Sequence, residues 1–251
     1  MDPSRTRPLV VLSQDVPEDR PVLIAFPHAG APATAYRPWA DRLPQLRVVG
    51  VQLAGRQNRL RDVPATRVSD VVDEVVPPIL AQVAEIPFVL YGHSFGAVVA
   101  YEVARALQRR AVPAALVVSG ARAPHRPRRG AGFGHLSDAE LIAAVARLGG
   151  IPNELLNKPQ ILKDLVPALR ADVAAAEAYR HEDGDRVACP LLAFTGAADE
   201  RVSPDACEAW GAHAGGVFRW RVVPGSHFFV HDPAFAPILL EELAGAGVLS
   251  R

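Results

Sequence analysis

Short runs of apolar residues alternate along the chain with longer stretches of helical length. Nearly every position in the short runs is apolar, which is typical of strands that are covered on both faces. The stretches between them are amphipathic or rich in Ala. This alternation predicts βαβ units on a mainly parallel central sheet with helices on both faces. The predicted strands are Val22–Phe26, Leu46–Val51, Phe88–Tyr91, Ala115–Ser119, Leu191–Thr195 and Phe218–Val223.

The alternation breaks between about residues 122 and 182, where no strand pattern occurs. A stretch rich in Pro and Arg opens this segment, and prolines disfavour regular structure. Ser137 then precedes Glu140 at the spacing of a capping box, which predicts the start of a helix. A second helical pattern extends from about Gln160 to His181. We therefore predict one domain over residues 1–251, with residues 122–182 inserted as a helical lid.

Composition and charge limit the classes of function. A chain of 251 residues suits one large α/β domain, and Lys plus Arg equal Asp plus Glu at 27 each. No global field therefore favours nucleic acid or an anionic membrane. Cys189 and Cys207 form neither a metal pattern nor a disulfide framework, which favours buried thiols in a reducing compartment. With no signal peptide pattern and no apolar stretch of membrane-spanning length, we expect a cytoplasmic monomer without metal.

The strongest chemical signal is Gly92-His93-Ser94-Phe95-Gly96, which follows the apolar run PFVLY and precedes a helical stretch. Strand, G-x-S-x-G and helix in this order form a nucleophile elbow. The tight turn strains the serine backbone, and only small residues at 92 and 96 let strand and helix approach closely. The serine side chain is then exposed at a helix N-terminus, where the dipole favours developing negative charge. We predict Ser94 as the nucleophile.

A serine nucleophile needs a histidine base and a carboxylate that orients the base. In this arrangement the chain order is serine, acid, histidine. Asp199 follows the strand PLLAFTG, and His227 follows the next strand and its Pro-Gly-Ser turn. We therefore predict Asp199 and His227 as the remaining members of a triad. Glu200 and Asp205 are the alternative acids, and His231 is the alternative base.

The remaining histidines receive other roles. His93 lies inside the elbow, but its side chain is expected to point away from the serine and to pack in the interior. His125, His135, His181 and His213 are interpreted as solvated or loop residues.

An oxyanion hole needs two backbone N–H donors. One is expected from Phe95, the residue after the nucleophile. The other is expected from the segment Phe26–Gly30 after the first predicted strand. Pro27 has no N–H, so residues 28, 29 and 30 are the candidates, and we select Ala29.

One other glycine-rich pattern resembles a functional motif but is not assigned a function. Gly130-Ala131-Gly132-Phe133-Gly134 imitates part of a dinucleotide-binding loop, but no strand precedes it directly and its third glycine is misplaced. The sequence also contains no Walker A pattern and no cluster with metal-ligand spacing.

With these motifs in place, the chain resembles the type II thioesterases that accompany modular polyketide synthases and nonribosomal peptide synthetases, a family with the α/β-hydrolase fold. The resemblance covers most of residues 22–231 in the right order. Two departures are Ala31, where the family usually has a second Gly, and Ala197-Ala198, which replace more polar residues before the aspartate. The matching segments are FPHAGAPATAYRPWADRLP, LAGRQNRLRDVP, PFVLYGHSFGAVVAYEVARAL, LRADVAAAEAYRH, TGAADERVSPDACEAW and PGSHFFV.

The resemblance implies hydrolysis of acyl thioesters on the phosphopantetheine arm of acyl or peptidyl carrier proteins. Such enzymes remove aberrant short acyl units that stall a synthase, and they need no external cofactor. Ser94, Asp199 and His227 carry over as the triad, with Ala29 and Phe95 as oxyanion donors.

A cluster of arginines at the start of the predicted lid breaks the otherwise even charge distribution. Arg122, Arg126, Arg128 and Arg129 lie within eight residues of one another, with His125 among them. Arginines at a lid edge suit the phosphodiester and the acidic helix of a carrier protein. We predict that the cluster docks the carrier protein; the alternative is a solvated loop.

Three other functions fit the same elbow. An acyltransferase would be expected to hold a carboxylate-binding Arg downstream of the serine, where position 119 is Ser although Arg122 is close. A carboxylesterase or lipase would use the same triad on oxygen esters. A non-catalytic carrier-protein binder could retain the fold, and labelling by a fluorophosphonate would identify it by its lack of reaction.

Overall fold

The computed structural model describes residues 8–14, 16–83, 86–127 and 130–249. Its strands form one seven-stranded sheet in the order β1-β3-β2-β4-β5-β6-β7. All neighbouring strands are parallel except β1, which pairs antiparallel with β3 at one edge. This confirms the predicted mainly parallel α/β sheet. The strands are β1 (Leu9–Val11), β2 (Val22–Phe26), β3 (Arg47–Val51), β4 (Phe88–His93), β5 (Ala115–Ser119), β6 (Leu191–Gly196) and β7 (Phe218–Val223).

Eight α-helices connect or follow the strands in the described residues. They are α1 (Arg37–Arg42), α2 (Val68–Val83), α3 (Phe95–Leu107), α4 (Asp138–Leu148), α5 (Asn153–Leu156), α6 (Pro159–Ala178), α7 (Pro204–Glu208) and α8 (Phe235–Gly245). None of the helices in the described part of the chain combines the length and apolarity needed to cross a bilayer.

The sheet separates two buried apolar layers. Side chains of α2 and α3 pack on one face, with Val75, Ile79 and Val103 fully buried. Side chains of α1 and α8 pack on the other face, where Trp39 and Leu239 are buried. The central strands are covered on both sides, which is why their sequences are apolar at nearly every position.

Between β5 and β6, the residues that the structure describes form α4, α5 and α6 and no strand. Ser137 and Glu140 form the capping box that begins α4, and Gly149 ends this helix in the left-handed conformation with φ +90°. α4 and α6 have a small apolar core of their own, which includes Leu141 and Leu169. The helices thus pack on each other as well as on the sheet.

Candidate active site

The predicted site residues all follow the carboxyl ends of parallel strands. Ser94 follows β4, Asp199 follows β6 and His227 follows β7, while Ala29 lies after β2. The register aligns these ends, because Phe26 pairs with Gly92, and His93 pairs with Ser119. Functional groups of open α/β sheets gather at this edge, and the fold brings the predicted residues together there.

The turn between β4 and α3 is strained at Ser94, which has φ 54° and ψ −115°. The Ser94 amide donates to the Ser119 carbonyl at 2.8 Å and thereby ties the turn to β5. A Cβ on Gly92 would overlap the Gly96 carbonyl, and a Cβ on Gly96 would overlap the carbonyls of Phe26 and the next residue. The elbow therefore requires both glycines, and the second one seats α3 directly on the loop that follows β2.

The three side chains of the predicted triad form one continuous contact. His227 Nε2 lies 3.3 Å from Ser94 Oγ, and His227 Nδ1 lies 2.9 Å from Asp199 Oδ2. The Asp199 side chain is fully buried. Its other oxygen, Oδ1, accepts hydrogen bonds from the amides of Arg201 and Val202 at 2.8 and 3.1 Å. Those bonds fix the carboxylate so that Oδ2 faces the imidazole.

The loop after β6 that carries Asp199 (the acid loop) and the loop after β7 that carries His227 (the histidine loop) are joined by backbone hydrogen bonds. The amide of Ala197 donates to the Val223 carbonyl at 2.8 Å, and that of Ala198 donates to the Gly225 carbonyl at 2.9 Å. A Cβ on Gly196 would lie 2.5 Å from the carbonyl oxygens of Gly225 and the next residue. Because these contacts use only main-chain atoms, the alanines at 197 and 198 keep the geometry of Asp199.

The alternative acids and base lie elsewhere. Glu200 is exposed. Asp205 lies in α7 and is 3.5 Å from Arg126 in an ion pair. His231 stacks on Phe228 with ring centroids 5.7 Å apart, and among the described residues its ring has no hydrogen bond to the serine.

The loop after β2 offers few free donors. The Gly30 amide donates to Asp172 Oδ2 at 2.7 Å, and the Ala31 amide donates to the His28 carbonyl at 3.0 Å. Among the described residues, the amides of His28, Ala29 and Phe95 have no acceptor. Ala31 is buried, so its methyl group is accommodated where the family usually has Gly.

Two neutral histidines lie behind the triad. His93 is fully buried, and its Nδ1 lies 2.9 Å from Ser119 Oγ, in agreement with the predicted packing role. Burial, with His227 and His28 adding to it, lowers the pKa of His93 well below its ordinary value. Burial and then His231 lower the pKa of His28 to about 3. Both rings are therefore uncharged at neutral pH.

The interpretation of His213 as a solvated residue was wrong. Its side chain is buried, with Nδ1 3.1 Å from the Tyr101 hydroxyl and Nε2 2.7 Å from His125 Nδ1. Burial, with His181 and His125 adding to it, lowers the pKa of His213 to about 4. Hydrophobic periodicity could not predict the contacts among His213, Tyr101 and His125, because these residues are far apart in the sequence.

Both cysteines are buried and free. Burial raises the pKa of Cys189 to about 11 and that of Cys207 to about 12, so both remain thiols at neutral pH. Within the described ranges, no three His, Cys, Asp or Glu side chains are grouped so as to hold a metal ion.

A pocket of about 480 Å³ opens on Ser94 and His227. Its apolar lining residues come from α3, α4, α6 and the histidine loop. Charged side chains also line it, among them Arg122, Glu177 and Arg201. The pocket can thus contact both apolar and polar groups of a molecule bound beside the serine. The apolar lining includes Val98, Val145, Leu148, Leu169, Val173 and Phe228.

Two members of the arginine cluster, Arg122 and Arg126, line this pocket. Arg122 Nε donates to the Arg126 carbonyl at 3.1 Å, and Arg126 pairs with Asp205. Arg128 and Arg129 lie outside the described residues.

The sequence reasoning did not identify Asp172 and Arg56, whose side chains form a buried ion pair beside the loop after β2. Asp172 is 2% exposed and lies on the apolar face of α6. A carboxylate on an otherwise apolar helical face is the signal that could have revealed it, because buried charges need partners.

Comparison with known proteins places the chain among thioesterases. The family model of the thioesterase domain matches residues 21–244. Linear gramicidin dehydrogenase LgrE of Brevibacillus parabrevis is 36% identical over 217 residues, which are 84% of this chain and 82% of that protein. Thioesterase PikA5 of Streptomyces venezuelae is 34% identical over 215 residues, which are 84% of this chain and 75% of that protein.

A solved structure agrees with the sequence comparison. The type II thioesterase BorB from the borrelidin biosynthetic cluster superposes with a TM-score of 0.84 at 34% identity. The alignment covers 94% of this chain and 97% of BorB. The similarity therefore extends over the sheet and its helices and is not confined to the elbow.

Proposed function

Because the chain belongs to the thioesterase family, as a type II member that hydrolyses thioesters, we propose that it releases acyl groups from the phosphopantetheine arm of acyl or peptidyl carrier proteins in the cytoplasm. One observation carries this proposal. Ser94 contacts His227, His227 contacts Asp199, and all three line a pocket that also has many apolar lining residues. We further propose an editing role, in which the enzyme removes aberrant short acyl units that would stall a synthase.

The first half of the proposed reaction forms an acyl-enzyme. His227 Nε2 takes the proton of Ser94 while Oγ attacks the thioester carbonyl carbon. The carbonyl oxygen becomes negative and accepts from the amides of Ala29 and Phe95, which lack other acceptors among the described residues. The carbon–sulfur bond then breaks, and the phosphopantetheine thiol leaves with the proton that His227 had taken.

The second half uses water as the nucleophile. His227 takes a proton from water, and the resulting hydroxide attacks the ester carbonyl on Ser94. The bond to Oγ breaks, the serine regains its proton from His227, and the free acid leaves. Throughout, Asp199 holds the imidazole with its Nδ1 protonated, so that Nε2 remains a base.

Hydrolysis of carrier-bound thioesters has a direct test. We expect a short acyl group on a phosphopantetheinylated carrier protein to appear as free acid, with a higher kcat/KM than the same acyl group on N-acetylcysteamine. Mass spectrometry of the carrier protein and of the acid follows both products. In heavy-oxygen water, the released acid should carry one solvent oxygen, because water opens the acyl-enzyme.

Other outcomes would support the rival activities. Appearance of the acyl group on an added second thiol, with little acid, would identify an acyltransferase. Rapid cleavage of a matched oxygen ester with slow thioester cleavage would identify a carboxylesterase. Absence of fluorophosphonate labelling together with carrier-protein binding would identify a non-catalytic binder.

We also propose that the arginine cluster docks the carrier protein. Arg122 and Arg126 line the pocket, and Arg126 already pairs with an acidic side chain, Asp205. Neutralising Arg126, Arg128 and Arg129 together to Gln should raise KM for the acyl-carrier protein and weaken its salt dependence, because rim charges act mainly on association. Initial rates at several salt concentrations measure both effects.

A small substrate and a matched variant serve as controls. Hydrolysis of the acyl-N-acetylcysteamine should be unchanged in the triple variant, since it has no docking surface. Arg109→Gln with Arg110→Gln removes exposed charges at the opposite end of α3 from Ser94 and should leave both substrates unaffected. Equal slowing of both substrates by the triple variant would instead mean that the loop shapes the site.

A further inference from the structure

Asp172 connects the inserted helices to the loop after β2. Its carboxylate lies on α6, is 2% exposed, and accepts a hydrogen bond from the Gly30 amide at 2.7 Å. The same oxygen pairs with the Arg56 guanidinium, which is also buried. Burial raises the pKa of the Asp172 carboxyl, while Arg56 and the Gly30 amide oppose that rise.

The segment around Arg56 anchors the same loop at further points. Gln52 is fully buried, accepts from the Ala33 amide at 2.8 Å, and donates to the Arg56 carbonyl at 2.8 Å. Gln57, in the left-handed region with φ 44°, donates to the Thr34 hydroxyl at 2.7 Å. The loop is therefore fixed at its far end by backbone and side-chain contacts, and near Ala29 by Asp172.

The Gly30 amide needs this acceptor. Gly30 has φ +76°, and a Cβ there would lie 3.1 Å from the Leu169 Cβ, so the loop rests directly against α6. A buried N–H without an acceptor is costly, and a peptide that can rotate at a glycine would turn to find one. Rotation there would also move the neighbouring peptide, whose N–H belongs to Ala29.

We propose that Asp172 is a positioning residue for the oxyanion hole: by accepting the Gly30 N–H, it directs the Ala29 N–H toward the substrate carbonyl oxygen. This inference rests on the proposed function of Ser94. Since the acceptor comes from α6, the inserted helices take part in assembling the hole as well as in covering the pocket. A purely structural role, in which the ion pair only anchors α6, makes different predictions.

Two charge-free double variants separate these roles. Arg56→Met with Asp172→Leu removes the ion pair and the acceptor, whereas Arg56→Met with Asp172→Asn removes the ion pair but keeps an amide oxygen for Gly30. Replacement of a buried ion pair by apolar groups is often tolerated. We measure kcat and KM with the acyl-N-acetylcysteamine, and the affinities of an alkylboronic acid and of an unreactive thioether analogue.

The variant with Arg56→Met and Asp172→Leu (the Leu pair) should lose about 10²-fold in kcat with little change in KM, because a misplaced Ala29 N–H stabilises the oxyanion poorly. The variant with Arg56→Met and Asp172→Asn is called the Asn pair. Affinity for the boronic acid, which forms an anionic tetrahedral adduct with the serine, should fall by a similar factor. Affinity for the thioether analogue, which has no carbonyl oxygen to occupy the oxyanion hole, should stay constant. The Asn pair should retain most of kcat and of boronic acid affinity.

Equal losses in both double variants, or an unchanged kcat in the Leu pair, would overturn the proposal in favour of simple anchoring. If the Leu pair does not fold, Asp172→Glu provides a second test. This substitution keeps the charge but displaces the acceptor, so an unchanged kcat would again contradict the positioning role. The small thioester and the boronic acid report on Asp172 whether or not carrier proteins are the substrates. Failure on carrier proteins alone would therefore refute only the proposed function.

Discussion

Replacement of Ser94 by Ala is expected to lower kcat for thioester hydrolysis by about 10⁴- to 10⁶-fold, to the residual level that binding and oxyanion stabilisation give in other serine hydrolases. The variant removes the hydroxyl oxygen, which lies 3.3 Å from His227 Nε2. It should not disturb the elbow, because the Ser94 side chain makes no capping hydrogen bond to α3. Ala also bears a Cβ, so the backbone strain at φ 54° is the same in both proteins.

Single-turnover release of acid from the acyl-carrier protein measures this loss, and thermal unfolding checks the fold. Ser226→Ala is the matched control, since Ser226 is exposed and directly precedes His227. It should keep nearly the full rate. A Ser94→Ala variant that keeps about a tenth or more of the wild-type rate would refute the assignment of Ser94 as the nucleophile.

Local sequence was sufficient for the parts of the fold that depend on neighbours along the chain. The elbow is one such part, because Gly92 and Gly96 are required within a single turn. The capping box of Ser137 and Glu140 is another, since both bonds join residues of the same turn. All six predicted strands are present. For β2 to β6 the reason is that burial on both faces leaves a nearly unbroken apolar run.

Some boundaries depended on longer-range context. β1 (Leu9–Val11) was not predicted, because a three-residue edge strand gives no periodicity to detect. β4 and β6 continue past their predicted ends to His93 and Gly196, and the added residues, Gly92, His93 and Gly196, do not fit a strand pattern. Pairing with neighbouring strands overrides propensity at these carboxyl ends, which are the ends that carry the site.

The candidate site was predictable where a motif and the topology agree, and unpredictable where residues from distant segments meet. Asp172 and Arg56 are 116 positions apart. Both lie in segments that match the family, but nothing in the sequence pairs one with the other. The choice among residues 28 to 30 as oxyanion donor shows the same limit. The Gly30 amide is engaged only because α6 folds over it, so tertiary structure removes Gly30 from the alternatives that the sequence left and keeps the selected Ala29 among them.

Asp199→Asn is expected to lower kcat by about 10⁴-fold, the cost of this exchange in the best-studied triad. The Asn oxygen can keep the bonds that Oδ1 accepts from the amides of Arg201 and Val202. Its NH₂ group would then face His227 Nδ1, where Oδ2 now lies at 2.9 Å. A donor there favours the tautomer with the proton on Nε2, and that nitrogen can no longer accept the proton of Ser94.

Glu200→Gln is the matched control for Asp199→Asn, because it makes the same change of carboxylate to amide at the next residue. Glu200 is exposed, whereas the Asp199 side chain is fully buried, so only the latter acts on the imidazole without screening by water. Steady-state kcat and thermal unfolding are measured for both variants. We expect Glu200→Gln to stay within a few-fold of wild type, and Asp199→Asn to unfold at nearly the wild-type temperature because the loop keeps its backbone bonds. A larger loss of kcat in Glu200→Gln than in Asp199→Asn would mean that Glu200 orients His227 in solution and that the contact of Asp199 with Nδ1 has no catalytic role.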